Sequence, residues 1–217
     1  MPVRNVSNRG GNVIGSFPSV KMGRMVAFES LLERDYLYLL DYDPDVAWFE
    51  EQPLTIEYQH EGKVLHYTPD FHLLERGRDV LVECKPVRFT HTDENQRKFA
   101  VAQLWCDQRR WEFRVVTEQQ VRGGVRLENI KLLASYARQS VDPVLQGRIY
   151  AFLHDVSAPP TITALASTLV PDATALAVVR ILHLAFHHQV CIPLDDVPLT
   201  GDAPVYLPIR MRKEHRA

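Results

Sequence analysis

From Met25 onward the apolar positions fall at helical spacing. Phe28, Leu31, Leu32, Tyr36, Leu39 and Leu40 share one broad face, which predicts a helix starting near Met25. Asp43-Pro44-Asp45 ends it, because proline resists continuation and aspartate favours a turn. The preceding residues 1–24 are rich in Gly, Asn, Ser and Arg without any period, and predict a flexible basic arm.

The period then shortens to that of strands. Segments 54–59 and 64–67 predict a hairpin across His60-Glu61-Gly62-Lys63, and 70–74 and 79–85 a second across Glu75-Arg76-Gly77-Arg78. Val80-Leu81-Val82 is apolar on both faces, so its strand is expected at the centre of a sheet. Thr92 or Asp93 is positioned to cap a helix running to about residue 107, and 113–116 predicts another buried strand. Residues 25–140 therefore read as one mixed α/β domain.

After Val141-Asp142-Pro143 the character changes. Helices are expected over 144–153, 162–169 and 174–188, and short strands over 190–192 and 205–207 flank a polar loop carrying Gly201. Three helices followed by strand, loop and strand is the order of a winged helix. Residues 141–217 thus read as a small winged-helix-like domain with a basic tail of Arg210, Arg212, Lys213 and Arg216.

Composition narrows the class. The chain has 217 residues, 46% of them hydrophobic and 24% charged, which suits a globular protein with ample core material. Its net charge of -2 gives no bulk attraction to nucleic acid. Phosphate contacts must come from local groups, such as Arg4, Arg9, Lys21 and Arg24 near the start or Arg109 and Arg110 in mid-chain. Cys84, Cys106 and Cys191 are scattered, odd in number and without a CxxC pair, which argues against a disulfide framework. With no membrane-length apolar run and no signal-peptide core, a reducing cytoplasm is expected.

The chemistry concentrates in the first half. Asp70 opens a predicted strand after Pro69, while Glu83 and Lys85 lie two apart on the central strand and so point to one face. Charges among apolar neighbours are costly unless they pair or bind a metal. A lone ExK would read as a Glu83–Lys85 ion pair. An aspartate heading the neighbouring strand makes a metal site the better reading. Glu33 or Glu29 on the first helix can add a third acid, and periodicity does not choose between them. Such oxygen donors suit Mg²⁺ or Mn²⁺ rather than zinc. Lys85 is placed to orient an attacking water or to neutralise charge on a phosphorane-like transition state. Gln52, before Pro53, reads as a β-edge structural residue.

His183 and His187 have i, i+4 spacing that can chelate, and His188 adjoins them. No third ligand of suitable spacing follows, so helix-surface or partner-contacting roles are expected. His66, His72 and His91 flank the candidate centre. P-loop, GxSxG and Rossmann fingerprints are absent from the sequence.

Taken in order, Phe28-Glu29-Ser30-Leu31-Leu32-Glu33-Arg34-Asp35, Glu51-Gln52-Pro53, Tyr67-Thr68-Pro69-Asp70-Phe71 and Val82-Glu83-Cys84-Lys85-Pro86 resemble TnsA. TnsA is the endonuclease subunit of heteromeric cut-and-paste transposases. The resemblance spans roughly residues 20–120, and the ordered series is more specific than any single motif. It implies a restriction-endonuclease-like α/β fold of the PD-(D/E)xK type, a mixed sheet flanked by helices. It also implies Mg²⁺-dependent cutting of the non-transferred strand at the 5′ ends of transposon DNA, with Mn²⁺ substituting. By motif, Glu33, Asp70, Glu83 and Lys85 are the implied catalytic residues, the three acids holding metal. A further acid that some members carry on the following helix has no clear counterpart here, where Ala102 stands near its position. Implied partners are a TnsB-like DDE transposase, and a TnsC-like AAA+ regulator that meets the C-terminal domain. A stand-alone restriction or repair nuclease of the same fold, and a non-catalytic adaptor for DNA and a regulator, are the alternatives.

Overall fold

The computed structural model describes residues 13–208. The chain divides into two compact units, Met1–Gly123 and Gly124–Ala217. This division falls earlier than the 140/141 boundary expected from composition. The segment between includes a helix, Arg126–Ala134, that packs on a helix of the second unit, Thr174–Phe186.

The first unit opens with two short antiparallel strands, β1 (Gly15–Pro18) and β2 (Met25–Phe28). Both depart from expectation: β1 lies within the predicted arm, and β2 occupies the predicted start of the first helix. The remainder of the predicted arm, residues 1–12, lies outside the described residues. Helix α1 (Leu31–Tyr42) begins only after Ser30, whose hydroxyl accepts the Glu33 N–H at 3.1 Å. Ser30 thus satisfies one of the N–H groups a helix start leaves open, and that fixes the start. In the first turn the Glu33 carboxylate reaches back to accept the Glu29 N–H at 2.7 Å.

The strands β3 (Val46–Glu51), β4 (Ile56–His60), β5 (Lys63–Tyr67), β6 (Phe71–Glu75) and β7 (Arg78–Cys84) follow. After them come the short helix α2 (Val87–Thr90), helix α3 (Asp93–Asp107), strand β8 (Glu112–Val116) and short helix α4 (Glu118–Val121). The main sheet has the order β3-β6-β7-β8, antiparallel except for the parallel β7–β8 pair. The inner strand β7 is buried from Val80 to Cys84, as its two-faced apolar run predicts. Both expected hairpins form. Their two-residue turns, Glu61-Gly62 and Arg76-Gly77, place each residue at positive φ, the left-handed geometry that matches strand twist and favours glycine.

One sheet face meets α1, with the Tyr36 and Phe71 rings 6.1 Å apart. The other is covered by α3 and the β4–β5 ribbon, whose Ile56 and Tyr67 pack with Leu81, Ala102 and Cys106. An isolated two-stranded ribbon is marginal in water, so this packing holds β4 and β5 in place. The first unit is therefore a mixed α/β sheet flanked by helices.

The second unit contains α5 (Arg126–Ala134), α6 (Pro143–Asp155), α7 (Ile162–Leu169), a single 3₁₀ turn at Pro171–Ala173, and α8 (Thr174–Phe186). Asp142 and Thr161 cap α6 and α7 through their side-chain oxygens. The strands expected over 190–192 and 205–207 reduce to antiparallel bridges. Cys191 and Tyr206 exchange main-chain hydrogen bonds of 2.8 and 2.9 Å, and Thr161 bridges Pro204. No single helix among the described residues is long and apolar enough to cross a membrane. The bent pair α7 and α8 passes that test only jointly, and its Leu165, Ile181 and Leu184 are buried in the unit.

Candidate active site

The β6–β7 register builds the site. Phe71 lies opposite Val82, so one more step of the same antiparallel register sets Asp70 across from Glu83. On the other side of β6, Glu51 pairs with Phe71, and the Gln52 N–H donates to the Asp70 carbonyl at 2.8 Å. Gln52, Asp70 and Glu83 thus form one row across three strands. Lys85, two residues past Glu83, returns to the same face.

Each carboxylate is held. Asp70 Oδ2 accepts the Cys84 N–H at 2.7 Å. Glu83, 4% exposed, accepts the Tyr67 hydroxyl through Oε2 at 2.8 Å and meets Lys85 Nζ through Oε1 at 2.6 Å. Glu29, Thr55, His66, Tyr67, Thr68, Asp70, Glu83, Lys85 and Lys98 line a cleft of about 500 Å³. Glu33 is buried close enough to act on Asp70 and Glu83 by charge.

The electrostatics follow from crowding acids in a poorly hydrated place. Burial, then the Glu83 and Glu33 charges, push the Asp70 carboxyl well above its ordinary range, against the Cys84 N–H bond and the Lys85 charge. Burial also raises Glu33, opposed by its bonds to the Glu29 N–H and Ser30, with the Glu29 and Glu83 charges adding to the rise. Burial works against the Lys85 ammonium, but Glu83 first, then Asp70 and Glu33, outweigh it and raise its pKa. Burial and the same three acids push the Cys84 thiol well up, so it is no nucleophile. The site is thus a set of mutually repelling carboxylates with one firmly charged lysine.

Among the described residues no group of three His, Cys, Asp or Glu side chains is arranged to hold a metal ion. Of the three acids named from sequence, Asp70 and Glu83 line the cleft, while Glu33 accepts the Glu29 N–H through Oε2 and is not among the lining residues. The donors do fit a hard divalent cation. Mg²⁺ is ordinarily held by one or two carboxylates, with waters and substrate phosphate completing its shell. Asp70 and Glu83 supply such a pair, and their repulsion is of the kind a cation relieves.

Two residues at the cleft, Tyr67 and Lys98, carry no sequence signal of a role in the site. Tyr67 stands at a strand end and in the Tyr67-Thr68-Pro69-Asp70-Phe71 motif without an assigned role, and its bond to Glu83 spans 16 positions. Lys98 sits on α3, one turn before buried Ala102, and pairs with Glu94 at 2.5 Å. Glu29 lines the cleft and accepts a bond from Gln52, whose reading as a plain β-edge residue is therefore incomplete. The capping pattern Ser30-x-x-Glu33 was the one available signal that α1 starts late and leaves Glu29 outside the helix.

Other candidates are used elsewhere. Arg24 forms a fork on Glu51 at 2.8 and 2.6 Å, and Lys21 Nζ is bonded to the Leu40 and Asp43 carbonyls, so both serve the fold rather than a free basic patch. Arg109 stacks over Trp105 at 3.8 Å. Arg4, Arg9 and the tail residues Arg210, Arg212, Lys213 and Arg216 lie outside the described residues. His66 lines the cleft, whereas His72 is buried, stacked on Trp111 and bonded to Asp79 at 2.9 Å. His91 lines a different cavity, with Val87 and Thr90. His183 and His187 bond the Tyr136 and Ala137 carbonyls, which ties α8 to the segment after α5.

Residues 43–118 match the family described as TnsA-like endonuclease N terminal. No curated protein matches the chain. The matched segment contains Asp70, Glu83 and Lys85, while Glu29 and Glu33 precede it. The match thus supports a TnsA-like endonuclease domain over residues 43–118, within the first unit.

Proposed function

We propose that this chain is the Mg²⁺-dependent DNA endonuclease subunit of a heteromeric transposase, cutting the non-transferred strand at the 5′ ends of a transposon. The observation that carries the reading is the row in which Asp70 faces Glu83, beside the Lys85 ammonium, in a cleft open to a phosphodiester. Asp70 and Glu83 would hold the ion, and Glu33 adds negative charge behind them. Bound there, Mg²⁺ supplies Lewis-acid polarisation of the scissile phosphate and a lowered pKa for water. Lys85 holds its proton at Nζ and offsets charge that grows on the phosphoryl oxygens. Lys98 and His66 at the cleft wall offer positions for flanking phosphates.

The second unit's order of α6, bridge, α7, α8, bridge, loop and bridge supports a winged-helix-like reading. Here the wing strands would be shortened to the Thr161–Pro204 and Cys191–Tyr206 bridges. That unit would meet a TnsC-like AAA+ regulator, while a TnsB-like recombinase handles the 3′ ends. A cytoplasmic, DNA-associated location follows from this role. The test is a cleavage assay with transposon-end DNA, the partner subunits and Mg²⁺. Nicks at the 5′ ends that vanish in Asp70→Ala and Lys85→Ala support the proposal, and undiminished nicking by either variant overturns the site assignment.

A further inference from the structure

Gln52 combines three features that a plain strand-edge residue does not need. Its φ is +46°, a left-handed conformation that is uncommon for side chains other than Asn, Asp and Gly. The following Pro53 narrows its choices further, since proline crowds the residue before it. Its side-chain oxygen is buried and has no hydrogen-bond partner among the described residues. Backbone strain and an orphaned buried acceptor each carry a cost, and both tend to persist where function requires them.

The bonds Gln52 does make run to the acids. Its N–H donates to the Asp70 carbonyl at 2.8 Å, and its Nε2 donates to Glu29 Oε1 at 2.9 Å. The amide cannot be turned to satisfy the orphaned oxygen, because a carboxylate at Glu29 only accepts. Glu29 in turn gives its N–H to Glu33 Oε2 at 2.7 Å. Gln52 thus joins the Asp70 main chain through its own N–H and the Glu29 carboxylate through its side chain, which fixes that carboxylate on the cleft wall.

We infer that Gln52 is a positioning residue that acts through Glu29, holding that carboxylate where it can accept a proton or hydrogen bond from water in the cleft. The inference rests on the nuclease reading above and adds a residue pair to it. The left-handed backbone makes it separable from a structural role. Gln52→Asn and Gln52→Gly suit that conformation at least as well as glutamine, but neither side chain reaches Glu29.

The test measures Mg²⁺-dependent cleavage and metal-free thermal unfolding of the full chain for these two variants, Glu29→Ala and the Gln52→Asn/Glu29→Ala double variant. Expected are an unchanged or higher Tm for both glutamine variants and cleavage lowered about 10- to 100-fold, the equivalent of one lost hydrogen bond to a charged group. The double variant should cut no worse than Glu29→Ala alone, as expected of two residues acting in one path. Wild-type rates in both glutamine variants, a joint fall of Tm and rate, or additive losses in the double variant would each overturn the inference while leaving the nuclease reading intact. A wild-type chain that does not cut would remove the nuclease reading and this inference together.

Discussion

Asp70 and Glu83 stand opposite one another on adjacent strands, Asp70 bonded to the Cys84 N–H and Glu83 to Lys85. The pair is costly for the metal-free fold, since Asp70 is raised well above its ordinary value by burial and by its acidic neighbours. A carboxyl whose folded pKa exceeds its unfolded one contributes full stability below the unfolded value, and that contribution is lost as pH rises through the folded value. Stability in EDTA should therefore decline as pH climbs from the ordinary aspartate value of 3.8 through the raised range of Asp70. Asp70→Asn, which keeps an acceptor for the Cys84 N–H, should unfold at a higher temperature than wild type in EDTA at neutral pH. Calorimetric scans across pH measure both effects.

Lys85 supplies the positive charge next to Glu83, and its raised pKa keeps it protonated through neutral pH. Lys85→Met should lower cleavage by about 10²–10³-fold, the scale of removing one preorganised charge-stabilising group. Measured against DNA concentration, the loss should fall mainly on kcat, because the interaction strengthens as phosphoryl charge develops.

Tyr67 is buried, and its hydroxyl donates to Glu83 Oε2 at 2.8 Å. Tyr67→Phe removes a hydrogen bond to a charged group and should cost about 1.5–3 kcal/mol of stability, read by urea unfolding. Metal should recover part of that loss, since a bound cation gives the Glu83 oxygen a new partner.

Ser30 starts α1 and stands between Glu29 and Glu33. Ser30→Ala should cost about 1 kcal/mol through loss of the N-cap bond. It should also loosen the Glu29 N–H to Glu33 contact, which protection of that amide from hydrogen exchange would report.

The central hairpin β6–β7 was legible because it carries local signals: alternation, a Gly-containing two-residue turn and an apolar run for the buried strand. Asp70, Glu83 and Lys85 could be placed on it by strand parity alone. The entry region was not legible in the same way. Met25, Val26 and Phe28 continue the helical spacing of Leu31 and Leu32, so β2 was absorbed into α1, and only the Ser30 cap separates them. The strand β3 escaped because Glu50 and Glu51 close an apolar segment with charge. Glu51 is tolerated in the interior by the Arg24 fork, whose partner lies 27 residues away. Gln52 and Glu29, 23 residues apart, were likewise joined only by the folded chain. In the second unit α6, α7 and α8 showed their period and α6 and α7 their caps, whereas α5, which starts without a side-chain cap, was not anticipated. The expected strands shrank to bridges because each segment exchanges only a single pair of main-chain bonds with its neighbour.

Asp70 and Glu83 are the two carboxylates of the proposed cation site. Crystals soaked in Mn²⁺ and measured for anomalous scattering test this directly. A peak within bonding distance of both Asp70 and Glu83 is the predicted result, and a cleft with no peak, or a peak touching neither carboxylate, would contradict it.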